Sequence, residues 1–292
     1  MLTEENNNYN QLELFKDLAS FLNWRSSCKV SSIGFVPTMG ALHGGHLKLV
    51  TESIAVNDLT VVSIFVNPKQ FSPGEDLDSY PKTLAKDIEL LKKLPGKIIV
   101  FAPQQKDIYP SGFSFYISET KISKILCGQT RENFYSGICT VLMRLFNLVN
   151  PNNVYFGQKD ILQCAVVNKM IIEFGLNIKF NIVSTERDEN GLALSSRNKF
   201  LSPDELVKSA IIYQVLLEAK KKYINGNEAS KIVLNAKQQL ASQGFIVQYL
   251  DFRQWPDFEL INQRKVGRTV VLAIAVLFNK IRLIDNLWFN DE

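Results

Sequence analysis

GFVPTMGALHGGH, residues 34–46, leaves an apolar run, passes through glycines and opens a helical pattern. A strand that turns into a helix in this way presents backbone N–H groups at the helix start, where the peptide dipoles favour an anion. A phosphate is the natural ligand. His43 and His46 stand three residues apart, so on a helix they share one face and their imidazoles converge. They are the only histidines in the chain. Both sit beside a glycine pair at one helix start, which marks them as ligand groups rather than packing. The bland alternative makes Gly40, Gly44 and Gly45 a tight turn with two surface histidines, and leaves the coincidence of strand, turn and helix unexplained. Neither G-x-G-x-x-G nor G-x-x-x-x-G-K-[ST] occurs here, so neither a dinucleotide fingerprint nor a P-loop accounts for the glycines. A helix start also disfavours a protonated ring, which predicts neutral His43 and His46 acting as donors.

Outward from this stretch, short apolar runs alternate with helical periodicity. Strands are expected at 33–36, 61–66, 98–101, 154–156 and 178–183, and helices at 43–57, 83–94, 138–149 and 161–174. The fold class this predicts is α/β, a doubly wound parallel sheet covered on both faces. After about residue 185 the pattern changes to helices at 203–223 and 228–242, then strands at 246–252, 269–278 and 281–284. Asn279-Lys280 reads as a hairpin turn. The expected domains are 1–185 and a smaller α+β domain, 186–292.

The 292 residues, 46% hydrophobic and 21% charged, suffice for a buried core in each of two domains. A net charge of +4 is mild, and the lysine triplet 220–222 reads as the solvated end of a helix. Without a basic stripe interleaved with aromatics, nucleic acid is not an expected partner, and an anionic small molecule is. Residues 1–10 do not read as a signal, and the longest apolar stretch, 270–278, is too short for a bilayer. No membrane role and a cytoplasmic location are expected. Cys28, Cys127, Cys139 and Cys164 lie far apart with no C-x-x-C, and buried reduced thiols are expected.

The wider text is more specific. PTMGALHGGH (37–46), SIFVNPKQF (63–71), YPKTLAKD (80–87), RLFNLVNPNNVYFGQKD (144–160) and GLALSSRN (191–198) occur in this order, with RLIDN (282–286) near the end. The paired histidines resemble the H-x-G-H element of the adenylyl-transferring superfamily that includes class I aminoacyl-tRNA synthetases. The full set resembles the pantothenate synthetase (pantoate–β-alanine ligase) family along nearly the entire chain. The resemblance implies a Rossmann-like fold of nucleotidyltransferase type and ATP-dependent coupling of pantoate to β-alanine through a pantoyl-adenylate. It also implies Mg2+ accompanying ATP, and a homodimer formed through the N-terminal domain.

Carried over residue by residue, the resemblance implies that His43, His46, Lys159, Ser195, Ser196 and Arg197 are the catalytic donors to the phosphoryl oxygens. Met39, Gly40, Gly157, Asp160 and Leu194 complete the ATP site, with Gly157 and Asp160 at the ribose. Pantoate is small and branched, so its pocket needs apolar walls and a few placed amides; Pro37, Met39 and Phe65 with Gln70, Gln163 and Arg131 are the matching residues. Leu162 stands where the family commonly repeats the glutamine of Gln163. Asp87 matches the position near the metal. The smaller domain, or the segment 68–81, is the expected cover over the site.

One stretch departs from the family. After Gly128 the family reads S-R-P-G-H-F-x-G-V, whereas this chain has Thr130, Arg131, Glu132, Asn133, Phe134, Tyr135, Ser136, Gly137 and Ile138. The rigid Pro-Gly pair is lost, and Glu132 would set a carboxylate beside an anionic substrate. Two other readings compete. A nucleotidyltransferase that stops after nucleotide transfer would ask for more cationic groups toward a phosphorylated acceptor. A silent nucleotide-binding protein would not need to keep both histidines, Lys159 and the Ser195–Ser196–Arg197 run.

Overall fold

The computed structural model describes residues 10–72, 74–75, 77–129, 131 and 133–292. The readings made on residues 1–9, Thr130 and Glu132 lie outside these. A parallel, doubly covered sheet calls for strands apolar on both faces, and the chain supplies them. β1 (Asn10–Phe15) and α1 (Leu18–Ser27) come first, followed by β2 (Ile33–Thr38), α2 (Gly44–Ile54), β3 (Leu59–Ile64), α3 (Leu84–Leu91) and β4 (Gly96–Phe101). After the single turn α4 (Gln105–Ile108) come α5 (Phe134–Val149), β5 (Asn153–Gly157), α6 (Ile161–Glu173) and β6 (Lys179–Val183). The six strands form one parallel sheet in the order β1-β4-β3-β2-β5-β6. The order reverses between β2 and β5, the kind of switch point outside whose carboxyl ends open α/β sheets bind ligands.

Val36, Val62, Val100, Leu49, Val50 and Leu91 make the core between β2, β3, β4, α2 and α3. β1 and α1 were not anticipated from the sequence. In NQLELF the leucines alternate with polar residues, as on an edge strand, and β1 pairs in parallel with β4 from Asn10↔Gly96 to Phe15↔Phe101.

The C-terminal part contains α7 (Pro203–Ser209), α8 (Ile211–Ile224), α9 (Ala229–Ser242), β7 (Ile246–Gln254), the short β8 (Glu259–Leu260), β9 (Arg268–Phe278) and β10 (Ile281–Asp291). The strands make a smaller antiparallel sheet, β10-β9-β7-β8. Leu216, Tyr223, Leu240, Phe252, Leu272 and Ile274 fill the core between it and α8 and α9. Asn279 and Lys280 both have positive φ, as the tight hairpin between β9 and β10 demands.

Two expectations change. The helix anticipated over 203–223 breaks at Ala210, where short bonds to Val207 and from Tyr213 tighten the turn. β10 extends to Asp291, not Ile284. The polar pair Asp285 and Asn286 reads as a strand end, but both are buried and hydrogen-bonded.

The chain divides into two compact units. The first comprises Met1–Glu119, Arg131–Phe156 and Val167–Val183; the second comprises Thr120–Thr130, Gly157–Val166 and Ser184–Glu292. Hydrogen bonds explain why two upstream stretches join the second unit. Asn286 holds the backbone at Gln158 and Lys159, and Tyr249 and Arg282 hold the sulfur of Cys127.

All four cysteines are free, and Cys127, Cys139 and Cys164 are buried. Burial pushes the Cys139 thiol up to about 12. Cys28 departs from the expectation in being only partly buried. Among the described residues no helix is long and apolar enough to cross a membrane.

Candidate active site

In the first unit, β2 delivers the loop that carries the histidines. Thr38 ends the strand by donating to the Ser63 carbonyl (2.8 Å) and accepting from the Gly40 amide (3.2 Å). Gly40 has φ +81°, and a Cβ there would come within 3.0 Å of Ile64 and 3.1 Å of Asp87, so only glycine suits the turn. Asp87, 1% exposed on α3, accepts from the amides of Ala41 (3.1 Å) and Leu42 (2.8 Å) and from the Thr83 hydroxyl. Its carboxylate fastens the loop just ahead of His43.

His43 is the N-cap of α2. Its Nδ1 accepts from the Gly45 amide at 3.2 Å, and the Nδ1 of His46 accepts from the His43 amide at 3.4 Å, a capping box made of two imidazoles. The rings lie 4.1 Å apart between centroids. An Nδ1 that accepts from a backbone N–H carries no proton, so each ring bears its proton on Nε2. This geometry fits the neutral form of both rings. Nitrogen NMR of the two rings at neutral pH is expected to show the Nε2–H tautomer for both, and a protonated Nδ1 on either ring would contradict the capping geometry.

The expectation that the loop amides themselves face an anion is narrowed. Those of Ala41 and Leu42 are taken by Asp87 and that of Gly45 by His43.

Of the groups expected at pantoate, Pro37, Met39, Phe65, Gln70 and Arg131 belong to the first unit with this loop, and Gln163 belongs to the second. Gln70 closes a short turn, Pro68–Gln70, and donates from Nε2 to the Met39 sulfur at 3.0 Å. Phe65 is buried and its amide donates to the Thr38 carbonyl, while half-buried Pro37 pairs with Ser63 in the sheet. Asn67, which the sequence reading did not single out, is the hub. It is 1% exposed, donates to the Gln70 side chain (3.0 Å) and the Gly137 carbonyl (3.1 Å), and accepts from the Tyr109 hydroxyl (2.8 Å). The signal available was the Asn-Pro pair, a turn opener.

Arg131 sits differently from a bare anion ligand. It forms a two-point pair with Glu75 (2.7 and 2.6 Å), stacks on Phe134 (3.5 Å to the ring centre) and donates to the Gln70 carbonyl (3.3 Å). In this chain Glu75 balances its charge, and the guanidinium braces the Gln70 turn.

The second unit carries the remaining groups. Gly157 ends β5, and the short turn Gln158–Asp160 presents Lys159, whose Nζ lies 3.4 Å from exposed Asp160. Gln163 is half-buried on the first turn of α6. A hairpin closes with an antiparallel bridge between Arg187 and Ala193 and a bond from the Leu194 amide to the Glu186 carbonyl, and hands the chain to Ser195. The Ser195 hydroxyl accepts from the Arg197 amide (3.3 Å), capping the turn Ser196–Phe200.

The hairpin is anchored by Arg187, which makes a bidentate pair with Asp285 (2.6 and 2.9 Å), donates to the Gly191 carbonyl and stacks on Tyr213. Burial pushes the Asp285 carboxyl upward despite the neighbouring guanidinium.

No group of three or more His, Cys, Asp or Glu able to hold a metal ion occurs among the described residues. Asp87, the position expected near the metal, is buried and accepts from two backbone amides and the Thr83 hydroxyl.

A parallel α/β sheet with a paired-imidazole helix start beside its switch point defines the class, an α/β enzyme built to receive a phosphorylated ligand. The sequence profile of the family described as Pantoate-beta-alanine ligase matches residues 13–288, and the chain belongs to that family. It is 40% identical over 257 residues to the pantothenate synthetase of Thermosipho africanus, an alignment spanning 88% of this chain and 91% of the relative. The crystal structure of pantoate-β-alanine ligase (pantothenate synthetase) from Thermus thermophilus matches with a TM-score of 0.87 at 36% identity, covering 94% of this chain and 98% of that one. The Francisella tularensis pantoate-β-alanine ligase, complexed with β-γ ATP and β-alanine, matches at 0.80 and 33% identity, covering 95% and 97%.

Proposed function

We propose that this enzyme makes pantothenate from pantoate, β-alanine and ATP in two half-reactions. In the first, a pantoate carboxylate oxygen attacks the α-phosphorus of ATP in line, the bond to the leaving oxygen breaks, and pyrophosphate departs. In the second, the β-alanine nitrogen attacks the acyl carbon, the C–O bond to AMP breaks, and the amine proton is lost. Charge gathers on the phosphoryl oxygens in the first step, and fixed donors aimed at it are the largest expected catalytic contribution. To the first unit we assign the donors His43 and His46, with Gln70 and Met39 as pantoate contacts. To the second we assign Lys159, Ser195, Ser196 and Arg197, with Asp160 and Leu194 at the nucleotide and Gln163 at pantoate.

The observation that carries this reading is the reciprocal capping of the two imidazoles, which engages both Nδ1 atoms with backbone amides and so supports each Nε2–H as the donor. Release of AMP that requires both pantoate and β-alanine, with pyrophosphate released from ATP and pantoate alone, is the test. AMP or pyrophosphate formed without pantoate would favour the nucleotidyltransferase reading, and no pyrophosphate at all the silent one.

Mg2+ is proposed to enter with the triphosphate, held mainly by phosphate oxygens and water. Asp87 then contributes through the loop it fastens. We also propose a homodimer, to be checked by sedimentation. The domain roles we propose are nucleotide and pantoate binding for 1–185 and closure for 186–292.

Gly157 supports the ribose assignment in a testable way. Its φ of −77° is open to any residue, and a Cβ there would meet no atom of the described residues within 4 Å. Among the described residues neither backbone nor packing demands glycine, which suits close approach by a ligand. Gly157→Ala is expected to keep the wild-type melting temperature while raising the KM for ATP about tenfold, the effect of one intruding methyl. An unchanged KM would remove Gly157 from the nucleotide site.

A further inference from the structure

RLIDN, near the C-terminus, has no part in the roles assigned above, yet its last two residues tie down both turns of the second unit given to the nucleotide. Neighbouring residues of a strand point to opposite faces. From β10, Asn286 donates its two amide hydrogens to the successive carbonyls of Gln158 (2.8 Å) and Lys159 (3.0 Å), and its oxygen accepts from Gln158 Nε2 (3.2 Å). Asp285 accepts from the Asn286 amide (2.8 Å) and from both Nη atoms of Arg187, at the base of the hairpin that leads to Ser195.

We infer that Asp285 and Asn286 are positioning residues for phosphoryl transfer, Asn286 acting through Lys159 and Asp285 through the 187–194 hairpin that delivers Ser195, Ser196 and Arg197. This rests on the donor roles proposed above.

A backbone gripped at two successive carbonyls cannot rotate, so the direction in which Lys159 leaves the turn is set from β10. The ammonium itself makes a 3.4 Å contact with Asp160. Only a side chain with two hydrogens on one atom and an acceptor on the other completes the set, which is asparagine's complement. A carboxylate of the same shape would turn an oxygen onto two carbonyl oxygens.

The test is a double-mutant cycle on pyrophosphate release in a single turnover with ATP and pantoate only. Asn286→Asp is expected to slow release about tenfold to a hundredfold, the effect of a displaced catalytic group. In a Lys159→Ala background it should slow release no further, because the residue acts through Lys159. A merely structural loss would multiply in both backgrounds. Multiplied losses, or a wild-type rate for Asn286→Asp, overturn the inference while leaving the donor assignment intact. A wild-type rate for Lys159→Ala itself overturns the donor assignment and the inference together. Asn286→Ser carries the same cycle if Asn286→Asp fails to fold, and Asp285→Asn with Arg197→Ala is the matching cycle for the hairpin.

Discussion

His46→Ala is expected to lower turnover by roughly 10²-fold or more, the loss that follows removal of one preset transition-state donor. The substitution removes two things, and they are read separately. The Nδ1 atom that accepts from the His43 amide is part of the α2 cap, and loss of a cap costs about 1 kcal/mol of stability. That deficit appears as a small fall in melting temperature and does not slow the molecules that remain folded. The Nε2–H donor contributes where charge develops, so its loss appears in kcat for pyrophosphate release. Near-normal turnover with a lowered melting temperature would leave His46 a cap and nothing more. His46→Asn, which can keep an acceptor toward the His43 amide, is expected to recover stability better than rate.

Gly137→Ala is expected to reduce kcat/KM for pantoate by about 10²-fold, as a shift of roughly 1 Å in substrate-positioning groups does. Ordinarily this change inside a helix stabilises, by about 1 kcal/mol. Here the sign should reverse. A Cβ on α5 at this position would lie 2.1 Å from the Lys69 carbonyl oxygen, 2.5 Å from its carbon and 2.8 Å from the Gln70 nitrogen, all backbone atoms. The turn Pro68–Gln70 would have to retreat until those contacts reach the ordinary 3.4 Å or more. That movement takes Gln70 away from Met39 and pulls on the Asn67 bond to the Gly137 carbonyl. Overpacking of this kind costs about 1–3 kcal/mol, which outweighs the helical gain. A melting temperature and pantoate KM equal to those of the parent would show that the helix and turn can part without consequence.

These two positions also separate what is legible along the chain from what is not. His43 and His46 could be found because their meaning is local: a spacing of three on a helix, a preceding strand and adjacent glycines are all contained in 34–46. The sheet was legible for a similar reason, since buried parallel strands are continuous apolar runs. Where an element reads polar the reading failed. β1 alternates like an edge strand, and β10 was cut short at Asp285 and Asn286, which are buried because Arg187 and the Gln158–Asp160 turn satisfy them.

The amino-acid order by itself determined the α/β class, the helix start that carries the imidazoles and the family, because each rests on periodicity or on contiguous text. Tertiary structure alone decided that Asp87 fastens the histidine loop, that Arg131 is balanced by Glu75, that Gly137 is required by the backbone of 68–70, and that β10 holds the backbone at Lys159. These depend on hydrogen bonds and close approaches between residues 46, 56, 68 and 127 positions apart. At such separations neither propensity nor periodicity carries information, and only the packed chain brings the partners within reach.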